Sequence, residues 1–196
     1  MTTSSPKLAQ EIYQEAQKYE IKSLDAPVSG GDVGAKNGTL AIMVGGDKEV
    51  YEEVLPIFEA MGKTICYFGK AGSGQYAKMS NQIAIASNMM GVCEAVAYAK
   101  KMWIKSSGLI MIVISTGAAG SWSISNLAPR MLKGDFAPGF FIKHFIKDMK
   151  IAIESADEMN LDLPGLKLAK SLYEKLAKEG YENNGTQALL KYYDAE

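Results

Sequence analysis

The sequence predicts an α/β segment taken from a doubly wound sheet, followed by an all-helical domain. Residues 1–71 alternate helical patterns with short β-branched or aromatic runs that end at glycines, which is typical of β/α units. Residues 72–196 keep helical spacing, apart from one ambiguous apolar run. We therefore place one domain at residues 1–71 and a helical domain at residues 72–196, which begins with a long interdomain helix.

The first half begins with a helix signal. Ser4 or Ser5 offers a cap, Pro6 suits the first turn, and apolar residues then recur at helical spacing. Asp47 is the predicted cap of a second helix, which lies between two strands. The predicted elements of this half are a helix at 6–19, a strand at 21–26, a glycine-rich loop at 29–38 whose N–H groups can gather an anion, a strand at 39–44, a helix at 48–61 and a strand at 63–68.

The second half begins with a run that contains no proline and no long polar break as far as residue 101, which predicts a helix of nearly thirty residues. The apolar run at 102–114 fits either a buried helix or a strand. The remaining predicted elements are a small-residue turn at 117–123, a short helix at 127–132, an aromatic loop at 134–141, an amphipathic helix from 144 to about 160, a helix at 165–179 and a terminal turn at 186–192.

Polar groups concentrate in residues 69–82, where the third predicted strand passes into the long helix. Gly72 and Gly74 allow a sharp turn there. Lys78, Asn81 and Gln82 follow at positions i, i+3 and i+4, so an amine and two amides share one helix face near its start. This face is the strongest candidate for chemistry, although a lysine one turn into a helix is more often a solvated surface group.

The same glycines also match a dinucleotide-binding fingerprint, Gly72-x-Gly74-x-x-Ala77. A true fingerprint requires a second strand that ends in an acidic residue about twenty positions further on. Glu94 has that spacing, but it falls on the same predicted helix. We therefore reject this interpretation of the loop.

The composition bounds the function classes. The net charge of -1 and the pI near 6.0 indicate no nucleic acid partner and no anionic membrane surface. Cys66 and Cys93 stand far apart without neighbouring ligands, so neither a metal site nor a disulfide framework is expected. No apolar run is long enough to span a membrane and the N-terminus has no signal pattern, which predicts a cytoplasmic protein.

Three motifs occur in one order. They are Asp25-Ala-Pro-Val-Ser29-Gly30-Gly31, Gly69-x-x-Gly72-x-Gly74-x-x-x-Lys78 and Lys147-Asp148-Met-Lys-Ile-Ala152, with Gly117-Ala-Ala-Gly-Ser-Trp122 between the last two. Together they resemble the β-hydroxyacid dehydrogenase family over almost the whole chain. The resemblance implies an α/β remnant of a Rossmann-type domain, followed by an all-α domain of the 6-phosphogluconate dehydrogenase C-terminal-like type.

The resemblance also assigns roles. Lys78 would be the general acid/base and Asn81 would orient the substrate oxygen. Gln82 stands where the family often has asparagine, so which of the two amides makes that contact stays open. The substrate side would comprise Ser29, Gly30, Gly31, Gln82, Phe140 and Asp148, and the cofactor side Thr3 and Lys147.

The implied cofactor is NAD or NADP, and the implied substrate is a small carboxylate-bearing β-hydroxy acid or semialdehyde. The family also associates through its helical domain, which implies a homo-oligomer. Because residues 1–5 resemble the segment that follows the family's nicotinamide-side strand, its first Rossmann half with the Gly-x-Gly-x-x-Gly loop is expected to be absent here. This chain alone would then be inactive.

Each assignment has an alternative. The chain as a whole could be a truncated, non-catalytic helical dimerisation module. Lys147 and Asp148 could be an exposed charged pair of little energetic value. His144, the only histidine, is interpreted as structural because the family takes its proton from lysine.

Overall fold

The computed structural model describes residues 1–102 and 107–194, and it leaves out the side chains of residues 107–110. These residues form two compact units. The first comprises Met1–Gln82 with Lys150–Asp162, and the second comprises Ile83–Met149 with Leu163–Glu196. None of the helices in the described ranges is both long and apolar enough to cross a membrane.

The first unit contains a four-stranded sheet with helices. Its elements alternate as the sequence predicts, and each strand is bounded by glycine, proline or a polar turn. They are α1 (Pro6–Gln17), β1 (Leu24–Asp25), β2 (Val28–Ser29), α2 (Gly31–Asn37), β3 (Leu40–Gly46), α3 (Lys48–Met61), β4 (Gly62–Gly69) and the start of α4 (Ser73–Lys101).

Strand β3 is central in this sheet. β4 pairs with it in parallel, whereas β1 and β2 both pair with its other edge in antiparallel orientation. Asp25 lies opposite Gly45 and Ser29 lies opposite Ala41, so the two short strands keep one register. They are two parts of one edge segment, interrupted at Pro27, which has no N–H to donate. The Pro27 carbonyl still accepts from the Met43 N–H at 3.0 Å.

The core of the first unit lies on one face of the sheet. Leu40, Ile42 and Val44 alternate along β3 and are buried, as strand periodicity requires. Phe58 from α3 and Ala26 from the edge segment pack against them. Burial of these side chains at about 25 cal/mol per Å² of apolar surface is the main force that holds α3 against the sheet.

The second unit is helical in its described residues, with one isolated β-bridge between Phe141 and Gly185. Phe145 packs edge-on against Tyr173 with ring centroids 5.3 Å apart, and both are fully buried. The elements of the chain after α4 are α5 (Ser107–Ser115), α6 (Trp122–Asn126), α7 (Ala128–Leu132), α8 (Ile142–Glu158), α9 (Pro164–Leu176), a π-helical turn (Ala177–Tyr181), a 3-10 turn (Thr186–Leu189) and α10 (Leu190–Asp194).

The predicted fold class is confirmed, with local corrections. The ambiguous run at 102–114 becomes helix over Ser107–Ser115, and its residues 103–106 lie outside the described ranges. The glycine-rich loop expected at 29–38 is wrong for most of its length, because α2 occupies Gly31–Asn37. The glycines serve its ends: Gly30 and Gly38 have φ of 125° and 62°, which few other residues adopt.

Two further corrections concern the strand β2 and the cap of α3. Val28 and Ser29 form a strand that the sequence analysis missed, since Pro27 broke the pattern. Asp47 stands at the N-cap of α3, but its side chain makes no bond to that helix. It accepts instead from the Tyr13 hydroxyl at 2.6 Å, and this bond raises the pKa of Tyr13 above its usual value.

Candidate active site

The start of α4 is held by one carboxylate from the edge segment of the sheet. Asp25 accepts the Gly72 N–H at 2.7 Å on Oδ1 and the Gln75 N–H at 2.8 Å on Oδ2. These N–H groups belong to the first turn of a helix, where no intrahelical acceptor is available. The negative charge also faces the positive end of the helix dipole. Asp25 therefore fixes both the position and the direction in which α4 begins.

Glycines make this close approach possible. A Cβ atom on Gly45 would lie 2.6 Å from Asp25 Oδ1, 2.8 Å from the Gly74 nitrogen and 2.9 Å from the Ser73 nitrogen. A Cβ on Gly74 would overlap the Met43 carbonyl oxygen. The backbone of α4 thus rests directly on the backbone of β3.

Lys78 lies one turn beyond this anchored start and is only 7% exposed. A buried lysine is uncommon, because removing an ammonium from water is costly unless the charge is paired or hydrogen-bonded. The surface-group alternative for Lys78 is therefore wrong. The burial agrees with a functional amine, although its catalytic role stays a prediction.

Two amides follow Lys78 and are bonded to each other. Asn81 Nδ2 donates to Gln82 Oε1 at 2.8 Å, and Gln82 is 1% exposed. The Gln82 side-chain carbonyl already accepts a bond from Asn81, so the geometry favours Asn81 as the amide that meets a substrate. Asn81 is half-buried and the more accessible of the two.

Ser29, Gly30 and Gly31 form the turn between β2 and α2. Ser29 is half-buried at the end of the edge segment that also carries Asp25, while both glycines are exposed. Gly31 has φ of 62°, so this turn shares the left-handed backbone of Gly30. The structure thereby presents backbone N–H groups at an accessible turn.

Thr3 lies in the segment before α1, and this segment is tied to α4. Gln75, 3% exposed, accepts the Ser4 N–H on Oε1 at 3.0 Å and donates Nε2–H to the Thr2 carbonyl at 2.9 Å. The two bonds hold the backbone on each side of Thr3. Pro6 and Gln10 of α1 also pack against Gly72, where a Cβ would meet them at 3.0 Å.

Phe140, Lys147 and Asp148 lie in the second unit, whereas the other predicted site residues lie in the first. Phe140 packs against Phe145 with ring centroids 5.5 Å apart, and its carbonyl accepts the Thr186 N–H at 3.1 Å. Asp148 is 2% exposed and pairs with Lys147 Nζ at 2.8 Å. The expectation of an exposed pair is wrong for Asp148, whose carboxylate is buried, whereas Lys147 is about half exposed.

Comparison with known proteins identifies the family. Residues 1–69 match the model for the NAD binding domain of 6-phosphogluconate dehydrogenase. Residues 72–193 match the model for the NAD-binding domain of NADP-dependent 3-hydroxyisobutyrate dehydrogenase, which covers more than half of the chain. The chain belongs to the β-hydroxyacid dehydrogenase family. The predicted resemblance is confirmed, and the cofactor class of this family is NAD or NADP.

Individual members of the β-hydroxyacid dehydrogenase family agree with this result. The uncharacterized oxidoreductase YkwC of Bacillus subtilis is 60% identical over 98% of this chain and 67% of its own length. The probable 3-hydroxyisobutyrate dehydrogenase-like 1 of Arabidopsis thaliana is 49% identical over 97% of this chain and 56% of its own length. A structure of the Mycobacterium tuberculosis 3-hydroxyisobutyrate dehydrogenase with L-serine superposes with a TM-score of 0.89 at 30% identity, over 98% of this chain and 68% of that one.

This chain thus spans between about half and two thirds of the length of the β-hydroxyacid dehydrogenase relatives that it matches.

Asp25 and Gln75 are the residues of this β-hydroxyacid dehydrogenase site that the sequence analysis missed. Asp25 opens the first family motif and Gln75 falls at an unspecified position of the second, and neither was given a role. The available signal was positional: a carboxylate at a strand end can meet the free N–H groups of a following helix. Choosing Asp25 over other carboxylates requires the long-range contact itself.

We predict that Asp25→Ala lowers the free energy of unfolding by about 2 kcal/mol, because two first-turn N–H groups lose their acceptor. Urea denaturation measures this loss, and amide hydrogen exchange at Gly72 and Gln75 localises it. Asp32→Ala is the matched control, since Asp32 is exposed and pairs with Lys36 only at 3.8 Å. The control should change stability by less than about 0.5 kcal/mol. Equal effects of the two substitutions would show that Asp25 does not cap α4.

Proposed function

We propose that this chain carries the substrate-binding and catalytic half of an NAD(P)-dependent oxidoreductase that interconverts a small β-hydroxy acid and the matching semialdehyde. One observation supports this most directly. A buried lysine sits one turn into a helix whose start is fixed to the sheet by Asp25, Gly45 and Gly74. Such rigid placement is what a group that reacts with a bound substrate requires.

In this proposal Lys78 Nζ moves the proton. In the reductive direction its ammonium donates a proton to the carbonyl oxygen and stabilises the negative charge that develops there. In the oxidative direction the neutral amine removes the hydroxyl proton. Asn81 orients the same oxygen, with its own amide held by Gln82.

The substrate carboxylate is assigned to the turn after β2. The Ser29 hydroxyl and the N–H groups of Gly30 and Gly31 are donors of the kind that bind a carboxylate. Phe140 and Asp148 are proposed to complete the substrate side. This arrangement selects a small molecule with a carboxylate, and it is compatible with 3-hydroxyisobutyrate, tartronate semialdehyde, succinic semialdehyde and glyoxylate.

The cofactor would be held by Thr3, whose neighbours are bonded to Gln75, and by Lys147, whose ammonium is partly exposed. When bound, NAD or NADP supplies or accepts the hydride.

We also propose a domain boundary between residues 71 and 72, and a cytoplasmic location for the protein.

The alternative of a non-catalytic helical dimerisation module has one observation in its favour. The second unit exposes large apolar side chains, of which Tyr98 and Trp122 are 71% and 70% exposed. Association of copies through the helical half would cover such groups. A homo-oligomer is compatible with both functions, so it does not discriminate between them.

A reductase screen of the full-length gene product tests the proposal. NADH and NADPH are each supplied with glyoxylate, succinic semialdehyde, tartronate semialdehyde and methylmalonate semialdehyde, and cofactor oxidation is followed by absorbance at the nicotinamide band. We expect turnover of at least one substrate with one preferred cofactor. Absence of turnover with all four substrates would contradict the proposed activity. Absence of cofactor binding as well would favour the dimerisation module.

A further inference from the structure

Gln75 bonds both to the sheet and to the segment before α1. Its backbone N–H donates to Asp25 Oδ2 at 2.8 Å. Its side chain accepts from the Ser4 N–H at 3.0 Å and donates to the Thr2 carbonyl at 2.9 Å. The bond to Asp25 therefore fixes the Gln75 backbone against the sheet, and the Gln75 side chain holds residues 2–4.

Residues 2–4 belong to none of the helices and strands in the described part of the chain, so the backbone groups of Thr2 and Ser4 need partners from elsewhere. Here a side chain that is 3% exposed supplies both the acceptor and the donor that the backbone needs. The bonds fall on Ser4 and Thr2, so Thr3 between them has its backbone constrained on both sides.

Only a carboxamide side chain at position 75 can make both of these bonds. Only Asn and Gln offer an acceptor oxygen and N–H donors on one planar group, and Gln has the longer reach. Glutamate at this position keeps the acceptor for Ser4 but cannot donate to the Thr2 carbonyl when ionised. Methionine keeps the length and loses both bonds.

Gln75 also lies three positions before Lys78, which places the two side chains on neighbouring parts of the same helix surface. A shift of residues 2–4 is nevertheless separable from a shift of Lys78, because the two depend on different bonds. The first depends on the Gln75 side chain, whereas the second depends on the backbone bonds of Gly72 and Gln75 to Asp25.

We infer that Gln75 is a positioning residue for the cofactor: it holds residues 2–4 so that Thr3 meets the dinucleotide, without itself touching the reacting atoms. This inference rests on the proposed function, because Thr3 is a cofactor contact only there. It assigns cofactor affinity to the Gln75 side chain and proton transfer to Lys78.

The test uses Gln75→Met and Gln75→Glu in the full-length gene product. Direct titration with NADH and NADPH gives Kd, and steady-state kinetics give KM for the cofactor and kcat at saturating cofactor. We expect Gln75→Met to raise Kd and KM for the cofactor about tenfold, while kcat changes less than about threefold. Gln75→Glu should raise Kd as well, and hydrogen exchange at the Ser4 amide should accelerate in Gln75→Met.

Gln187→Met is the matched control. Gln187 is also a buried glutamine, 1% exposed, and its Nε2–H groups also bond backbone carbonyls, those of Asp135 and Ala137 at 3.3 and 3.0 Å. It lies in the second unit and far in sequence from residues 2–4. Gln187→Met should lose about as much stability as Gln75→Met but leave cofactor Kd unchanged.

The outcomes separate this inference from the proposed function. A parent protein that binds cofactor but turns over no substrate would refute the proposed activity, and the Kd comparison would still decide the role of Gln75. An unchanged Kd in Gln75→Met, a fall in kcat without a rise in Kd, or an equal rise in Gln187→Met would each overturn the inference. Failure of the parent protein to bind either cofactor would overturn it too.

Discussion

Replacing Lys78 with methionine in the full-length gene product is expected to lower kcat at least about a thousandfold in both reaction directions. General acid/base transfer contributes roughly 10²–10⁴-fold, and stabilisation of a developing oxyanion by a charged donor adds to that. Methionine reproduces the length of the lysine stem and can fill the same buried space. The measurement is kcat with the substrate and cofactor that the screen identifies.

Thermal stability is the second readout for Lys78→Met, because Lys78 is only 7% exposed. Removing a buried charge that holds the fold together costs about 3–5 kcal/mol, since its partner is left buried and uncompensated. A lysine that serves the chemistry alone should leave the melting temperature unchanged when methionine fills its space. A large loss of turnover with an unchanged melting temperature therefore distinguishes a catalytic lysine from a structural one.

Lys63→Met is the matched control, because Lys63 lies on β4 in the same unit and is exposed. It should keep turnover within about twofold of the parent. Lys78→Arg gives a second comparison: it keeps a positive charge but not an amine that can release its proton at working pH. Turnover within tenfold of the parent in Lys78→Met would refute the role of Lys78 as the acid/base.

The elements that the sequence predicted well are those whose signals are local. The helix over Lys48–Met61 was predicted at its observed bounds, and Ser73–Lys101 was predicted as one long helix. Both follow from local signals: a cap or glycines at the start, and a run without proline or a long polar break. Lys78, Asn81 and Gln82 could be placed on one face for the same reason.

The features that were missed depend on contacts between distant parts of the chain. Asp25 and Gly72 are 47 positions apart, and Gln75 is 73 positions from Thr2. The periodicity of apolar residues is a local signal and cannot indicate which distant residues bond to each other. The strand predicted at 21–26 begins three residues before β1 and ends before Pro27, although the register of the edge segment with β3 continues past the proline.

The contact between β3 and α4 leads to the second large effect, which concerns Gly74→Ala. We expect this substitution to lower the free energy of unfolding by about 3 kcal/mol or more, which is about 10 °C in melting temperature for a chain of this size. The new Cβ would overlap the Met43 carbonyl oxygen and lie 2.9 Å from both the carbonyl and Oδ2 of Asp25. Because these are mainly backbone atoms, no rotamer change relieves the overlap.

Helix propensity opposes this effect and is too small to offset it. Alanine is about 1 kcal/mol better than glycine inside a helix. Gly91→Ala shows that gain alone, since Gly91 lies in the same helix with no atom within 4 Å of an added Cβ. Gly91→Ala is therefore expected to raise the melting temperature by about 2–3 °C. The same chemical change in one helix should thus have opposite signs at the two positions.

The pair also tests how Lys78 is placed. If α4 must lift from β3 to admit the Gly74→Ala methyl, the bonds from Gly72 and Gln75 to Asp25 lengthen and Lys78 moves with the helix. Turnover by the fraction of Gly74→Ala that remains folded should then fall about a hundredfold, since a displacement near 1 Å costs roughly that much. Folded Gly74→Ala with parental turnover would show that the glycine contact stabilises the fold without setting the position of the lysine. Equal melting temperatures for Gly74→Ala and Gly91→Ala would show that α4 does not rest on β3 at all.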